Sequence, residues 1–199
     1  MKIVIIKYNA GNIRSVNNAL LRLGYEAEIT ADPEKIKAAD KVIFPGVGEA
    51  STTMAYLRES GLDRVITGLK QPVLGICLGM QLMCSYSEEG DVECLNIFDE
   101  KVRKFLLPKD NSGNIKIPHM GWNKITAVRT PLFDESIEGE YVYFVHSFYV
   151  ALGDDTAATT NYIQPYSSAL QKDNFYATQF HPEKSGSVGE RILKNFLKL

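Results

Sequence analysis

The sequence predicts an α/β domain: a mostly parallel central sheet with helices on both faces, extended by added antiparallel strands. Two observations carry that prediction. The first half of the 199-residue chain alternates short β-branched runs with stretches of helical periodicity. The second half replaces the helices with short β-rich segments separated by turn residues. Composition agrees, with 45% apolar and 23% charged residues, and it excludes a disordered or fibrous chain. Compact domains commonly run ~100–200 residues, so one domain over residues 1–199 is expected.

The elements follow in order. Lys2–Lys7 reads as a strand buried on both faces. Ile13, Val16, Leu20 and Leu23 recur at helical spacing, and Gly24 punctuates the end. Tyr25–Thr30 is a second strand. Asp32-Pro33 is an N-cap followed by proline at the first helical position. Lys41–Phe44 is a third strand that stops at Pro45-Gly46. Residues 49–70 are helical with a break near Gly61. Pro72–Ile76 is a fourth strand, turning at once into a helix through Met83. Antiparallel hairpins are expected from Val102–Phe105, Trp122–Val128, Tyr141–Val145, Phe148–Ala151, Ala157–Tyr162, Ser168–Gln171 and Phe175–Gln179, with Asp110–Asn114 as a loop. A last helix presents Ile192, Leu193, Phe196 and Leu197 on one face.

Several function classes fall away. Lys plus Arg is 22 against 24 for Asp plus Glu, so no excess of positive charge points to nucleic acid. Cys77, Cys84 and Cys94 are odd in number and irregularly spaced, which argues against a disulfide framework and for a reducing compartment. No Cys-x-x-Cys and no pair of histidines four apart suggests a metal site. The N-terminal apolar stretch Ile3–Ile6 is too short for a signal peptide or a membrane span, so a cytoplasmic protein with no membrane partner is expected.

The sharpest local feature is Gly75-Ile76-Cys77-Leu78-Gly79, where a buried strand turns into a helix. A nucleophile on such a turn occupies a strained backbone position, and small residues on either side prevent clashes. The helix N-terminus favours the thiolate, and the Leu78 N–H is placed to meet a developing oxyanion. The other reading is a small buried core cysteine. A thiol nucleophile needs a base, and the histidines are His119, His146 and His181. Only His181 has a carboxylate close in sequence. In an extended His181-Pro182-Glu183, residues two apart share a side, so Glu183 can orient the imidazole. A surface turn is the alternative. In Pro45-Gly46-Val47-Gly48, Gly46 and Gly48 let the backbone aim N–H groups at a bound anion or substrate, or simply make a tight turn. Loops at the carboxyl ends of neighbouring parallel strands share one crevice, so this loop and Cys77 are expected to face each other. No Lys-Ser/Thr follows the glycines, unlike a phosphate-binding P-loop.

Taken together, Gly75–Gln81 and His181-Pro182-Glu183 resemble the class I glutamine amidotransferases, which have a flavodoxin-like fold. Asn9-Ala10-Gly11-Asn12, Pro118-His119-Met120-Gly121-Trp122-Asn123, Tyr143–Ser147 and Gln179–Ser185 narrow the likeness to the glutaminase subunits of imidazole glycerol phosphate synthase. The resemblance spans essentially the whole chain. It implies L-glutamine as substrate, with Cys77 as nucleophile, His181 as base and acid, and Glu183 as orienting carboxylate. It implies backbone N–H groups of Val47 and Leu78 for the oxyanion. Gln81 and Glu89, with the backbone near Ser147, would hold the α-amino acid part of glutamine. His119 and His146 fall in family motifs away from the catalytic position. Asn12, Trp122, Tyr143 and Lys184 would lie at the partner interface. The implied partner is a cyclase subunit, a (β/α)₈ barrel in a heterodimer, which uses the ammonia to form imidazole glycerol phosphate and AICAR in L-histidine biosynthesis. No cofactor and no metal are implied. Lys7 stands where an acidic residue is commoner in the family. Three readings compete: a glutaminase subunit of another ammonia-channelling synthase, a cysteine peptidase-like hydrolase, and a non-catalytic phosphate-binding module.

Overall fold

A computed structural model describes residues 1–8, 11–108 and 115–199. The expected loop Asp110–Asn114, and Asn9 and Ala10 of the first motif, lie outside the described residues. The elements are β1 (Ile3–Ile6), α1 (Ile13–Arg22), β2 (Ala27–Thr30), α2 (Pro33–Lys37), β3 (Lys41–Gly46), α3 (Ala50–Ser60), α4 (Leu62–Thr67), β4 (Val73–Cys77), α5 (Leu78–Met83), β5 (Tyr86–Ser87), β6 (Val92–Glu93), β7 (Lys101–Lys104), β8 (His119–Lys124), β9 (Tyr141–His146), β10 (Phe148–Val150), β11 (Thr156–Tyr162), β12 (Gln164–Lys172), β13 (Phe175–Thr178) and α6 (Gly186–Lys198). Short 3-10 turns cover Glu135–Ile137 and Pro182–Lys184.

The main sheet runs β2-β1-β3-β4-β13-β12-β10-β7-β5-β6, with β11 added on β12. From β2 to β13 it is parallel; β13–β12, β12–β10 and β10–β7 are antiparallel. A separate β8–β9 hairpin lies off the sheet. The core divides across the sheet because side chains alternate along each strand. Ile3, Ile5, Ile43, Leu74 and Ile76 pack with α1, α6 and the inner face of β8–β9. Val4, Ile6, Val42, Phe44 and Val73 pack with α2, α3, α4 and α5 on the other side. The two-sided parallel core is therefore as expected from the β-branched runs.

Local signals explain most boundaries. The Asp32 carboxylate accepts from Glu34 N at 2.9 Å, capping α2. Gly61, at φ +72°, breaks the helical stretch between α3 and α4. Three expectations are corrected. The third strand does not stop at Pro45-Gly46 but runs through them. Pairing to β1 ends at Ile43, so at Pro45 only the β4 side is bonded and a missing N–H costs nothing there. The expected strand Trp122–Val128 starts earlier and ends at Lys124, because pairing to β9 spans His119↔His146 to Lys124↔Tyr141. The two-residue strands β5 and β6 are too short to leave a periodic signal. Finally, β13 is not only part of a hairpin: it inserts parallel beside β4, with Thr178 opposite Ile76.

Neighbouring positions on α1 test the core assignment. Leu20 is fully buried and Leu21 is 49% exposed. Leu20→Ala is expected to cost ~2–5 kcal/mol and Leu21→Ala within ~0.5 kcal/mol in chemical denaturation. Equal costs would contradict the face assigned to this helix.

Candidate active site

Four adjacent parallel strands, β1, β3, β4 and β13, end on the same edge of the sheet. Cys77 stands at the end of β4, and Asn12, Val47 and His181 follow the ends of β1, β3 and β13, as loops at the carboxyl edge of a parallel sheet share one crevice.

Cys77 ends β4 and precedes α5 at φ +55°, ψ −108°, a strained backbone for a residue with a side chain. The flanking glycines are steric necessities. A Cβ on Gly79 would lie 1.9 Å from the Phe44 carbonyl oxygen, and one on Gly75 would lie 2.9 Å from Met83 Sδ and 3.1 Å from the Gly79 backbone. This tight packing is the nucleophile-elbow arrangement predicted from Gly-x-Cys-x-Gly.

His181 is fully buried, and its Nδ1 lies 2.7 Å from Glu183 Oε1. The contact does not arise from a fully extended segment, as expected. His181 is extended, but Glu183 sits in the Pro182–Lys184 3-10 turn, closed by Lys184 N donating to His181 O at 3.0 Å. Helix α6 comes close behind this turn: a Cβ on Gly189 would meet Pro182 O at 1.8 Å. The His181 Nε2 is buried without a hydrogen-bond partner. Burial pushes the imidazole down, but the neighbouring Cys77 sulfur and the Glu183 carboxylate outweigh it and raise it to about 10. The third participant at the sulfur is Gln179, whose Nε2 lies 3.8 Å from Cys77 Sγ.

A cavity of about 330 Å³ opens at Cys77. Val47, Gly48, Leu78, Gln81, Glu89 and Ser147 line it. Gly46 does not; it pairs with Cys77 in the β3–β4 ladder, and the Tyr8 hydroxyl fills the place where its Cβ would stand. The Gln81 amide donates to Phe148 O at 3.1 Å and Gln179 Oε1 at 2.9 Å, leaving its own oxygen as an acceptor. Glu89 accepts from Ala50 N at 3.0 Å, and burial raises its carboxyl.

The other two histidines are structural. His146 Nδ1 donates to Phe148 O at 2.7 Å, which leaves Nε2 to accept from His119 or the Tyr166 hydroxyl. His119 stacks on Tyr162 at 3.9 Å between ring centroids. Burial holds His119 down at about 4 and His146 at about 3, so both are neutral. Cys84 and Cys94 behave as expected of structural thiols: burial pushes Cys84 well up and Cys94 to about 12.

Trp122 and Tyr143 face each other across β8–β9 with ring centroids 6.1 Å apart, and Lys184 Nζ lies 6.0 Å from the Tyr143 ring centre. Met120, Trp122 and Tyr141 on this outer face are more than half exposed. The same strand grips the catalytic segment from behind: His181 N donates to Tyr143 O at 2.9 Å, and the Ser185 hydroxyl bonds both Tyr143 N and His181 O. Asn12, expected on the partner face, donates its amide to Glu183 Oε1. Gln179 and this bond of Asn12 are the site features that sequence reasoning missed. Gln179 was open to the period-two argument that linked His181 to Glu183, since it lies two residues before His181. The Asn12 contact spans the length of the chain and leaves no local signal.

The elbow at Cys77, the His181–Glu183 pair and the cavity beside them lie together at one edge of a doubly wound sheet, the arrangement a cysteine-dependent amidase requires. The chain belongs to the class I glutamine amidotransferases: the family model for glutamine amidotransferase class-I matches residues 4–199. It is similar to the imidazole glycerol phosphate synthase subunit HisH of Bacteroides fragilis (strain YCH46), 65% identical over 100% of both chains. The protein of that name from Pasteurella multocida (strain Pm70) is 49% identical over 98% of this chain and 97% of its own. Two solved glutamine amidotransferases share the fold: one at TM-score 0.73 and 20% identity, over 98% of this chain and 97% of its own, and one from Thermotoga maritima at TM-score 0.64 and 15% identity, over 100% and 83%. Among the described residues no helix is long and apolar enough to cross a membrane.

Two outcomes are expected. Iodoacetamide at neutral pH labels Cys77 in preference to Cys84 and Cys94, read by peptide mass spectrometry; equal labelling would contradict the thiol assignments. The neutral histidines make the fold lose stability as pH falls from 6.5 toward 4, since the unfolded chain then binds protons that His119 and His146 refuse. His146→Gln flattens that acid-side slope of the melting temperature, and an unchanged slope would contradict the buried neutral pair.

Proposed function

We propose that the chain is the glutaminase subunit of an imidazole glycerol phosphate synthase, hydrolysing L-glutamine to L-glutamate and ammonia as one domain over residues 1–199. The observation that carries the chemistry is the free, buried His181 Nε2 beside the strained Cys77, with Glu183 on its Nδ1. Full-length identity to relatives named as that subunit supports the pathway.

The Cys77 thiolate attacks the side-chain amide carbon of glutamine. The resulting oxyanion rests on the backbone N–H groups of Leu78 and Val47. His181 gives its proton to the departing amine, which leaves as ammonia, and a thioester remains on Cys77. Water then loses a proton to His181, attacks the thioester carbon and releases glutamate, restoring thiolate and imidazolium. Glu183 keeps the imidazole in one orientation through both steps. The Gln81 amide oxygen and the Glu89 carboxylate suit the substrate's α-ammonium, and the backbone at Gly48 and Ser147 suits its carboxylate. A metal or cofactor has no task in this scheme.

The ammonia goes to a cyclase subunit, a (β/α)₈ barrel, in a cytoplasmic heterodimer. The exposed face of Met120, Trp122, Tyr143 and Lys184 is where that subunit docks, an aromatic centre with one cation at its rim. Docking there bears directly on the backbone of His181 through Tyr143 O. Protected delivery is chemically necessary because ammonia in neutral water is mostly ammonium, which is no nucleophile.

In the complex, Cys77→Ala abolishes glutamine-dependent synthesis and leaves ammonium-dependent synthesis intact; loss of both would contradict the division of labour. Lys184→Glu weakens association with the cyclase, measured by titration, without lowering the melting temperature. Unchanged association would remove Lys184 from the interface.

A further inference from the structure

We propose that Asn12 is a positioning residue of the catalytic centre, extending the line Cys77–His181–Glu183 by a fourth side chain that fixes the glutamate on the imidazole. The inference rests on the triad reading above and deepens it.

Asn12 stands at the N-cap of α1, where an asparagine ordinarily turns its side-chain oxygen back onto the first free N–H groups of the helix. It does not do so here: no side-chain cap bond is made. Its Nδ2 donates instead to Glu183 Oε1, the same oxygen that receives His181 Nδ1, and stands 3.3 Å from that nitrogen. Glu183 Oε2 is buried without a partner. The carboxylate is therefore held through one oxygen by two donors, His181 Nδ1 and Asn12 Nδ2. The backbone favours this residue type as well. Asn12 is left-handed at φ +73°, a conformation asparagine tolerates better than most side chains.

On its other side the neighbouring Gly11 packs against the loop proposed for the oxyanion: a Cβ there would come within 2.8 Å of Val47 Cγ2. Removing the Asn12 amide leaves Glu183 aimed less firmly at Nδ1, so the carboxylate supports the imidazolium less well, and the thiolate beside it with it.

The test uses N12G, which keeps the left-handed backbone and deletes the amide, and N12D, which keeps the shape and exchanges the donor for a second carboxyl. In the isolated chain, the pH dependence of iodoacetamide labelling at Cys77 is followed by mass spectrometry, with Cys84 and Cys94 as internal references for local unfolding. The expected result is an acid limb moved to higher pH in N12G while both reference thiols stay protected. In the complex, N12G lowers kcat for glutamate release by about tenfold or more, the usual weight of a hydrogen bond to a charged group, with KM unchanged. N12D, which sets a second carboxyl against Glu183 in place of the donor, lowers kcat at least as much as N12G. Profiles of N12G and N12D superimposable on the wild type would overturn the proposal. So would a loss accompanied by labelling of Cys84, or one confined to KM. A wild-type Cys77 no more reactive than Cys84 would refute the triad itself, which separates the two failures.

Discussion

The parallel pairing of β13 with β4 is the constraint on which the site depends. Thr178 lies opposite Ile76, so the chain leaving β13 emerges beside Cys77, and Gln179 and His181 follow within three residues. A slip of one residue would turn each of these side chains to the other face of the sheet. The pairing joins segments about a hundred residues apart, and it is buttressed on both flanks, by β3 on one side and β12 on the other. Catalytic geometry is thus a consequence of sheet register, and the register is held by a core buried on both faces.

The three histidines show what decides protonation in such an interior. All three are buried, and burial alone would drive each of them neutral. His119 and His146 have aromatic rings, a phenol, a carbonyl, the Asn123 amide and each other around them, none of them an anion, and they remain neutral. His181 has a carboxylate on one nitrogen and a thiol beside the other, and its affinity for protons rises. The sign follows from the charge of the neighbours rather than from depth. Cys84 and Cys94 follow the same logic: burial is their largest influence and pushes both thiols up.

Much of this was legible in the sequence because it is written locally. The β-branched runs, the Asp32-Pro33 cap, the Gly61 break and the helical spacing of Val16 and Leu20 each report on a few neighbouring residues. Gly75-x-Cys77-x-Gly79 is legible for the same reason, since the steric need for glycine lies within one turn of the nucleophile. What was not legible depends on contacts remote in the chain. The end of β3 follows from where β1 stops pairing, the limits of β8 follow from β9, and the parallel placement of β13 is decided by β4. The contact of Asn12 with Glu183 leaves no local trace, because the two lie 171 positions apart.

The fold also ties the outer hairpin to the chemistry. Tyr143 has its ring on the exposed side and its carbonyl on His181 N, so one residue joins the proposed docking face to the backbone of the proposed base. The central claim, that the Cys77 sulfur carries the acyl group of glutamine between two half-reactions, is tested most directly by acid-quenching the working complex with glutamine and analysing its peptides by mass spectrometry. The account predicts a glutamyl thioester on the peptide containing Cys77. Glutamate released at full rate from a complex that never carries an adduct there, or that carries it on another residue, would contradict it.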